Sequence, residues 1–165
     1  MQALEGLHRA LFPGNYMDIA QYEPVKDALT AAIPEGVGSD QRTSLKTRIR
    51  YGNEISLGKR LQKLAEELPV ALRTRILGSN VVPRSWVDTR HYYTHWDEAL
   101  RLNILSDEAM DEANARLTAF LQTLYLHLAG AKADTLEAAF GGRSLTSLHL
   151  QQLSSIQRWN DKNDE

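Results

Sequence analysis

The sequence predicts an all-α fold, a helical bundle with additional short helices. Three observations carry that prediction. Apolar residues recur at spacings of three and four through most of the chain, the period of one helix face. Proline, glycine and capping side chains fall between these stripes, where helices start and stop. No window alternates apolar and polar residues as a half-buried strand does, and Val81-Val82 is too short to be one.

In order, Leu4, Leu7 and Leu11 predict a first helix over 2–11, which Phe12-Pro13-Gly14-Asn15 ends. Ile19, Tyr22, Val25, Leu29 and Ile33 form the stripe of a second helix over about 18–33. Pro24 interrupts it, so residues 18–23 are alternatively a separate turn, with the helix proper opening at Pro24. A third helix over about 40–54 turns Leu45, Ile49 and Gly52 inward and carries Arg42, Lys46 and Arg50 on its other faces. Ser56 caps a fourth, with Leu57, Leu61, Leu64 and Leu68 as its stripe and Pro69 as its stop. A short helix over 70–77 ends at the turn Gly78-Ser79-Asn80.

Pro83 stands where the next helix begins, and Trp86, Val87 and Arg90 follow at helical spacing. Residues 102–105 are a connector. Ser106 then caps a long helix, with Asp107 and Glu108 in its first turn and Leu105 and Met110 placed as a hydrophobic staple. Met110, Ala113, Leu117, Phe120, Leu121, Leu124 and Leu128 sustain its stripe to about residue 129, where Gly130 stops it. Asp134 and Glu137 open a short helix that ends at Gly141-Gly142. Ser144 caps a last one through Trp159, and a polar tail follows, frayed at 160–165.

The 165 residues suit one domain of ordinary size. Such a chain buries roughly 70% of its unfolded surface, so it needs neither metal nor disulfide to hold it. It has no cysteine, which excludes disulfides, a cysteine nucleophile and thiolate metal sites and fits a reducing compartment. No apolar run approaches a membrane span, and the N-terminus lacks the basic start and apolar core of a signal peptide. A cytoplasmic protein with no membrane partner is expected. The chain begins inside a helix pattern with almost no leader, as a piece of a longer protein would.

The net charge of −2 hides an asymmetry. Residues 1–40 are net −4, residues 41–90 net +7 and residues 91–165 net −5, so the positive block ends at Arg90. Clustered positive charge is what a polyanion site needs, although a solvated helix face with mixed charges is the plainer explanation.

The densest chemistry lies in residues 86–97, which hold Trp86, Asp88, Arg90, His91, Tyr92, Tyr93, His95, Trp96 and Asp97. Arg90 and His95 form an Arg-x4-His pair, the residue types that RNA transesterification needs. In that reaction the substrate's own 2′-hydroxyl attacks phosphorus, so no protein nucleophile, metal or cofactor is called for. A histidine moves protons near neutral pH, and a guanidinium fork stabilises charge on the phosphoryl oxygens. On a helix, five positions advance about 500°, so the two side chains point about 140° apart. A long arginine wraps part of that gap, or a second copy supplies the partner group across a two-fold axis. The plainer reading pairs Arg90 with Asp88 or Asp97 and buries His95 in the core.

His91 and His95 share a face at i, i+4, a spacing that also binds metals, with Asp88 or Asp97 as a third ligand. No glutamate stands in the His-Glu-x-x-His position, and a structural pair is favoured over a metal site. Of Trp86, Tyr92, Tyr93 and Trp96, which could stack on splayed bases, at least two are expected to be buried. The basic helices over 42–63 could guide a strand toward the site. No Gly-x-Ser-x-Gly supports a serine hydrolase.

Val87-Asp88-Thr89-Arg90-His91-Tyr92-Tyr93-Thr94-His95-Trp96-Asp97 resembles the motif region of HEPN domains of the ApeA-like type. Those read as a valine-aspartate-threonine-arginine-asparagine-tyrosine run, then a histidine and an aromatic-aspartate pair. Leu4-Glu5-Gly6-Leu7-His8-Arg9, Gly52-Asn53-Glu54, the helix over 56–64 and the long helix after the motif also resemble that family, so the likeness covers most of residues 1–130. It implies a helical bundle that dimerises and brings two Arg-x4-6-His motifs into a shared cleft, as a metal-independent endoribonuclease. Arg90 and His95 match the motif arginine and histidine, and His91 matches the position where asparagine is commoner. The resemblance further implies an RNA substrate, a role in bacterial anti-phage defence, and an N-terminal sensor domain or regulatory partner. Residues 131–165 would be peripheral helices. The competing reading is a non-catalytic HEPN module that binds RNA or nucleotides, or dimerises a larger protein.

Overall fold

The computed structural model describes residues 1–141 of the chain. These form α1 (Gln2–Leu11), α2 (Ile19–Ala31), α3 (Ser39–Tyr51), α4 (Leu57–Glu66), α5 (Val70–Leu77), α6 (Arg84–His95), a 3-10 helix (Glu98–Asn103), α7 (Asp107–Leu128) and α8 (Ala133–Gly141). No strand occurs among the described residues, so the all-α expectation holds. No helix among them is long and apolar enough to cross a membrane. The helix expected over 145–159 and the frayed tail lie outside the described residues.

Local chemistry sets most boundaries. The Ser56 hydroxyl accepts from the Lys59 amide and the Ser106 hydroxyl from the Ala109 amide, each satisfying an amide that its helix leaves free. Pro83 stands at the N-cap of α6, and Gly130, with φ of 95°, follows α7. The core lies between α4, α5 and α7, with α1, α6 and α8 packed around them. Leu57, Leu61 and Leu64 of α4 face Leu72 and Ile76 of α5 and Ala113, Leu117, Phe120 and Leu124 of α7 in one cluster, with Leu4, Trp86 and Leu136 at its margins. Burying each leucine contributes about 1.5–3 kcal/mol, which is why the α4 and α7 stripes fix the bundle.

Elsewhere the structure decides what the sequence left open. α2 runs unbroken through Pro24, capped by the Asp18 carboxylate on the Ala20 amide, so the expected second helix is one element and the alternative of a separate turn over 18–23 falls away. Ala20, four residues before the proline, is exposed, and water can satisfy the carbonyl that the missing N–H leaves. The α2 stripe is only partly buried: Tyr22 and Ile33 are inside, whereas Ile19, Val25 and Leu29 are exposed. α2 packs on α3, and the Tyr22 hydroxyl donates to the Ile49 carbonyl. Gly52 leaves room for that contact, because a Cβ would come within 2.6 Å of the Tyr22 hydroxyl and 3.1 Å of the Ile49 carbonyl, so one of them would have to shift.

α3 stops at Tyr51 rather than about residue 54. Two residues on, Asn53 is buried and holds both backbone groups of Met17, accepting at 3.0 Å and donating at 2.9 Å, beside an isolated bridge between Asn15 and Glu54. The 3-10 helix takes in residues 102 and 103 of the connector expected over 102–105, its first turn held by Asp97 accepting from the Ala99 amide.

One polar cluster sits where α1 meets α4. His8 is fully buried, 5.3 Å from the Phe12 ring, with its Nδ1 3.4 Å from Arg60 Nη1. Arg60, also buried, donates to the carbonyls of Ile55 and Gly14 and to Glu54, whose carboxylate also accepts from Arg9. An Nδ1 that accepts from Arg60 leaves the proton on Nε2, which finds no partner among the described residues. Burial, and then the positive charge of Arg60, hold His8 below its ordinary pKa of 6.5. The unfolded chain therefore binds the extra proton first. His8 contributes its full stability above pH 6.5 and loses it as pH falls from there toward the lower folded value. A melting series from pH 7.5 to 5 should show Tm falling below pH 6.5, with a flatter course in His8→Leu; equal slopes in the two chains would remove this assignment.

Candidate functional site

α6 presents two working faces, set apart by helical geometry. Arg84, Asp88, His91 and His95 recur at spacings of four, three and four along one face. Trp86, Thr89, Arg90 and Tyr93 occupy the other. The helix ends immediately after His95 because Trp96 adopts a left-handed conformation (φ 52°, ψ 43°), with its amide donating to the Tyr92 carbonyl at 2.6 Å. It is the single non-glycine residue with positive φ among those described.

The first face borders a groove of about 670 Å³ between α4 and α6, walled by Gly58, Lys59 and Gln62 opposite Arg84, Asp88 and His91. Asp88 is buried and receives Arg84 Nε at 3.3 Å. His91 is half-buried, its ring centre 6.0 Å from that of His95. Burial foremost, then the positive charges of Arg90 and His95, lower its pKa below 6.5, against a smaller opposing pull from Asp88. His91 is therefore neutral near pH 7, able to take up a proton. His95 is exposed at the end of the helix.

The second face borders a smaller cleft of about 250 Å³ between α6, α7 and the start of α1. Arg90 lies at it with a side chain 36% exposed. Its nearest carboxylate is Glu5 of α1, at 3.9 Å, too far for a hydrogen bond. Glu5 itself accepts from Arg9 at 3.2 Å. The guanidinium fork is thus oriented by a neighbouring charge without being occupied by it.

The plainer reading of the motif changes in its partners: Arg90 makes its ion pair with Glu5 rather than with Asp88 or Asp97. Asp88 pairs with Arg84, Asp97 caps the 3-10 helix, and neither holds Arg90. His95 is not in the core. Two of the four aromatics, Trp86 and Tyr92, are buried as expected, while Tyr93 and Trp96 are exposed and meet Tyr92 edge-on at 5.2 and 5.7 Å. Among the described residues, no group of three or more His, Cys, Asp or Glu could hold a metal ion, so His91 and His95 gain no third ligand. Within one chain the two histidines come together. Arg90 and His95 do not: no hydrogen bond or ion pair joins them among the described residues, and they diverge by about 140° around the helix.

Sequence reasoning missed Glu5, Arg84 and Thr89. Arg84 and Asp88 were legible as an i, i+4 pair; Glu5 was not, since its approach to Arg90 exists only once α1 docks. Thr89 is buried and its hydroxyl accepts from the Leu105 amide at 2.9 Å, fastening α6 to the start of α7. Thr89→Val keeps the shape and removes the acceptor, leaving that amide unsatisfied. Denaturant unfolding should show a loss of about 1–3 kcal/mol, the cost of an orphaned donor; an unchanged midpoint would mean the bond holds nothing.

No curated protein and no solved structure matches the chain. The family model of Apea-like HEPN domains matches residues 1–135, which take in α6, both of its faces and the helices that support them. A match over that much of the chain, on an all-α frame carrying Arg90 and His95 on one short helix, decides the family: the chain belongs to the Apea-like HEPN domains.

Proposed function

We propose that this chain is a metal-independent endoribonuclease that cuts RNA by 2′-hydroxyl transesterification. The observation that carries the reading is Arg90, a half-exposed guanidinium with no carboxylate within hydrogen-bond distance, on the same helix as two accessible histidines. HEPN membership supports an RNase-type or nucleotide-binding module.

In the proposed reaction a neutral histidine takes the proton of the 2′-hydroxyl as its oxygen attacks the adjacent phosphorus. Arg90 stabilises the charge growing on the phosphoryl oxygens. A protonated histidine returns a proton to the departing 5′-oxygen. The products are a 2′,3′-cyclic phosphate and a free 5′-hydroxyl. His95 and His91 are the candidate proton carriers, and His91, held neutral by burial, suits the base.

Because Arg90 and His95 face apart, the proposed enzyme is a homodimer in which each α6 completes the other's site across a two-fold axis. It would work in the cytoplasm as the effector part of an anti-phage protein, governed by an N-terminal sensor domain or a regulatory partner, with residues 131–165 peripheral. The same divergence favours one other reading, a non-catalytic module that binds RNA or nucleotides.

Labelled single-stranded RNA, incubated in chelator beside an all-DNA control, separates the two. The enzyme reading expects RNA alone to be cut, leaving cyclic phosphate ends. His95→Ala should lower the rate by about 10²–10⁴-fold and Arg90→Ala by about 10²–10³-fold. His91→Asn, which installs the commoner motif residue, should lower the rate by about 10²–10⁴-fold as loss of the base; an unchanged rate would take His91 out of the proton transfer. RNA bound but uncut by the unmodified chain would leave the binding module.

A further inference from the structure

We infer that the cleft beside Arg90 is a nucleobase pocket, in which Asn114 of α7 meets the edge of a base whose phosphate rests on Arg90. The inference rests on the reading of Arg90 as a phosphate-binding residue. The cleft measures about 250 Å³. That lies under the roughly 300 Å³ at which pockets for whole drug-sized ligands begin, so it suits one planar ring system with its sugar and phosphate outside.

The walls fit that shape. Trp86, Leu105, Met110 and Leu117 give an apolar interior, and the exposed ring of Tyr93 stands at its border. A purely apolar ligand would leave two polar groups of the same cleft idle. One is the Arg90 guanidinium, which makes no hydrogen bond to its nearest carboxylate. The other is the Asn114 side-chain amide, on an exposed position of α7, which takes part in no hydrogen bond among the described residues. An apolar ring slot, a free amide and a cation together call for a ligand that is flat and apolar at one end, carries donors and acceptors on its edge, and is anionic at the other. A nucleotide within a single strand has that chemistry, and splayed bases are read in this way by stacking and edge hydrogen bonds. The larger α4–α6 groove fits it less well, since the buried Asp88 carboxylate in its wall would repel an anion and no tryptophan, tyrosine or phenylalanine lines it.

A binding measurement tests this apart from catalysis. The probes are 2′-O-methyl ribodinucleotides, which cannot be cut, carrying each of the four bases, and one abasic counterpart. Their binding is followed by the Trp86 indole N–H resonance, a reporter in the cleft wall. Base-bearing probes should bind about 5- to 100-fold tighter than the abasic one, the range that stacking of one base supplies. Asn114→Ala should narrow the spread among the four bases to about twofold while leaving abasic affinity alone, as loss of an edge contact predicts. Arg90→Ala should weaken every probe.

Equal affinity for base-bearing and abasic probes, or base-dependent binding that does not shift Trp86, would overturn the pocket even if the chain cuts RNA. Base preference removed by Asn114→Ala, in a chain that cuts nothing, would establish the pocket and sink the nuclease.

Discussion

Burial of Trp86 against the α4–α7 core is the constraint on which the candidate site depends. Once that indole points inward, the advance of about 100° per residue assigns every other side chain of α6. Tyr93 and Arg90 fall within about 40° of Trp86 and are carried to the α7 side. His91 and His95 lie about 140° and 180° away and are turned to the α4 groove and to solvent. The cleft and the groove are therefore two sides of one anchored helix. The separation of arginine from histidine is a consequence of the anchor rather than a local accident.

The anchor is shared with α1, whose docking is polar as well as apolar. Leu4 enters the common core, and the next turn buries His8 against Arg60. From there a line of alternating charge runs outward through Glu54, Arg9 and Glu5 to Arg90. Exposed ion pairs of this kind contribute about 0–1 kcal/mol each. The buried Arg60 differs, because removing its partners would strand a charge away from water. The inner end of the line thus fixes α1, while the outer end, at 3.9 Å, only biases the direction of the guanidinium. That division suits the proposed exchange of Glu5 for a phosphate at Arg90.

What was legible in the sequence follows from how local each cause is. The starts of α4 and α7 could be read because a serine caps each, and α5 because Pro69 and Gly78 bracket it. The course of α2 could be read from its stripe, but the sequence left a break at Pro24 open, because propensity argues for one and packing on α3 lies outside the segment. The end of α3 depends on Asn53 reaching back to Met17, 36 residues earlier. The site divided likewise. Arg90, His91 and His95 are one helix's worth of sequence, and their angular divergence was derivable from residue numbers alone. Glu5 and Asn114 belong to α1 and α7, and their place beside Arg90 exists only once those helices pack.

The end of α6 bears on how the two faces can be used together. A left-handed turn at a residue with a Cβ costs about 1–2 kcal/mol. Here Trp96 takes it, and its ring lies edge-on to Tyr92 and Tyr93 at 5.7 and 6.3 Å. The turn stops the helix one residue after His95, so that histidine is the last side chain α6 presents. It also throws the chain into the 3-10 helix, where Leu102 stands 98% exposed, with Trp96 68% exposed before it. Apolar side chains so open beside a polar motif ask for a cover. In the proposed dimer a second α6 laid across the first would supply it, and the same contact would carry one chain's Arg90 toward the other's His95.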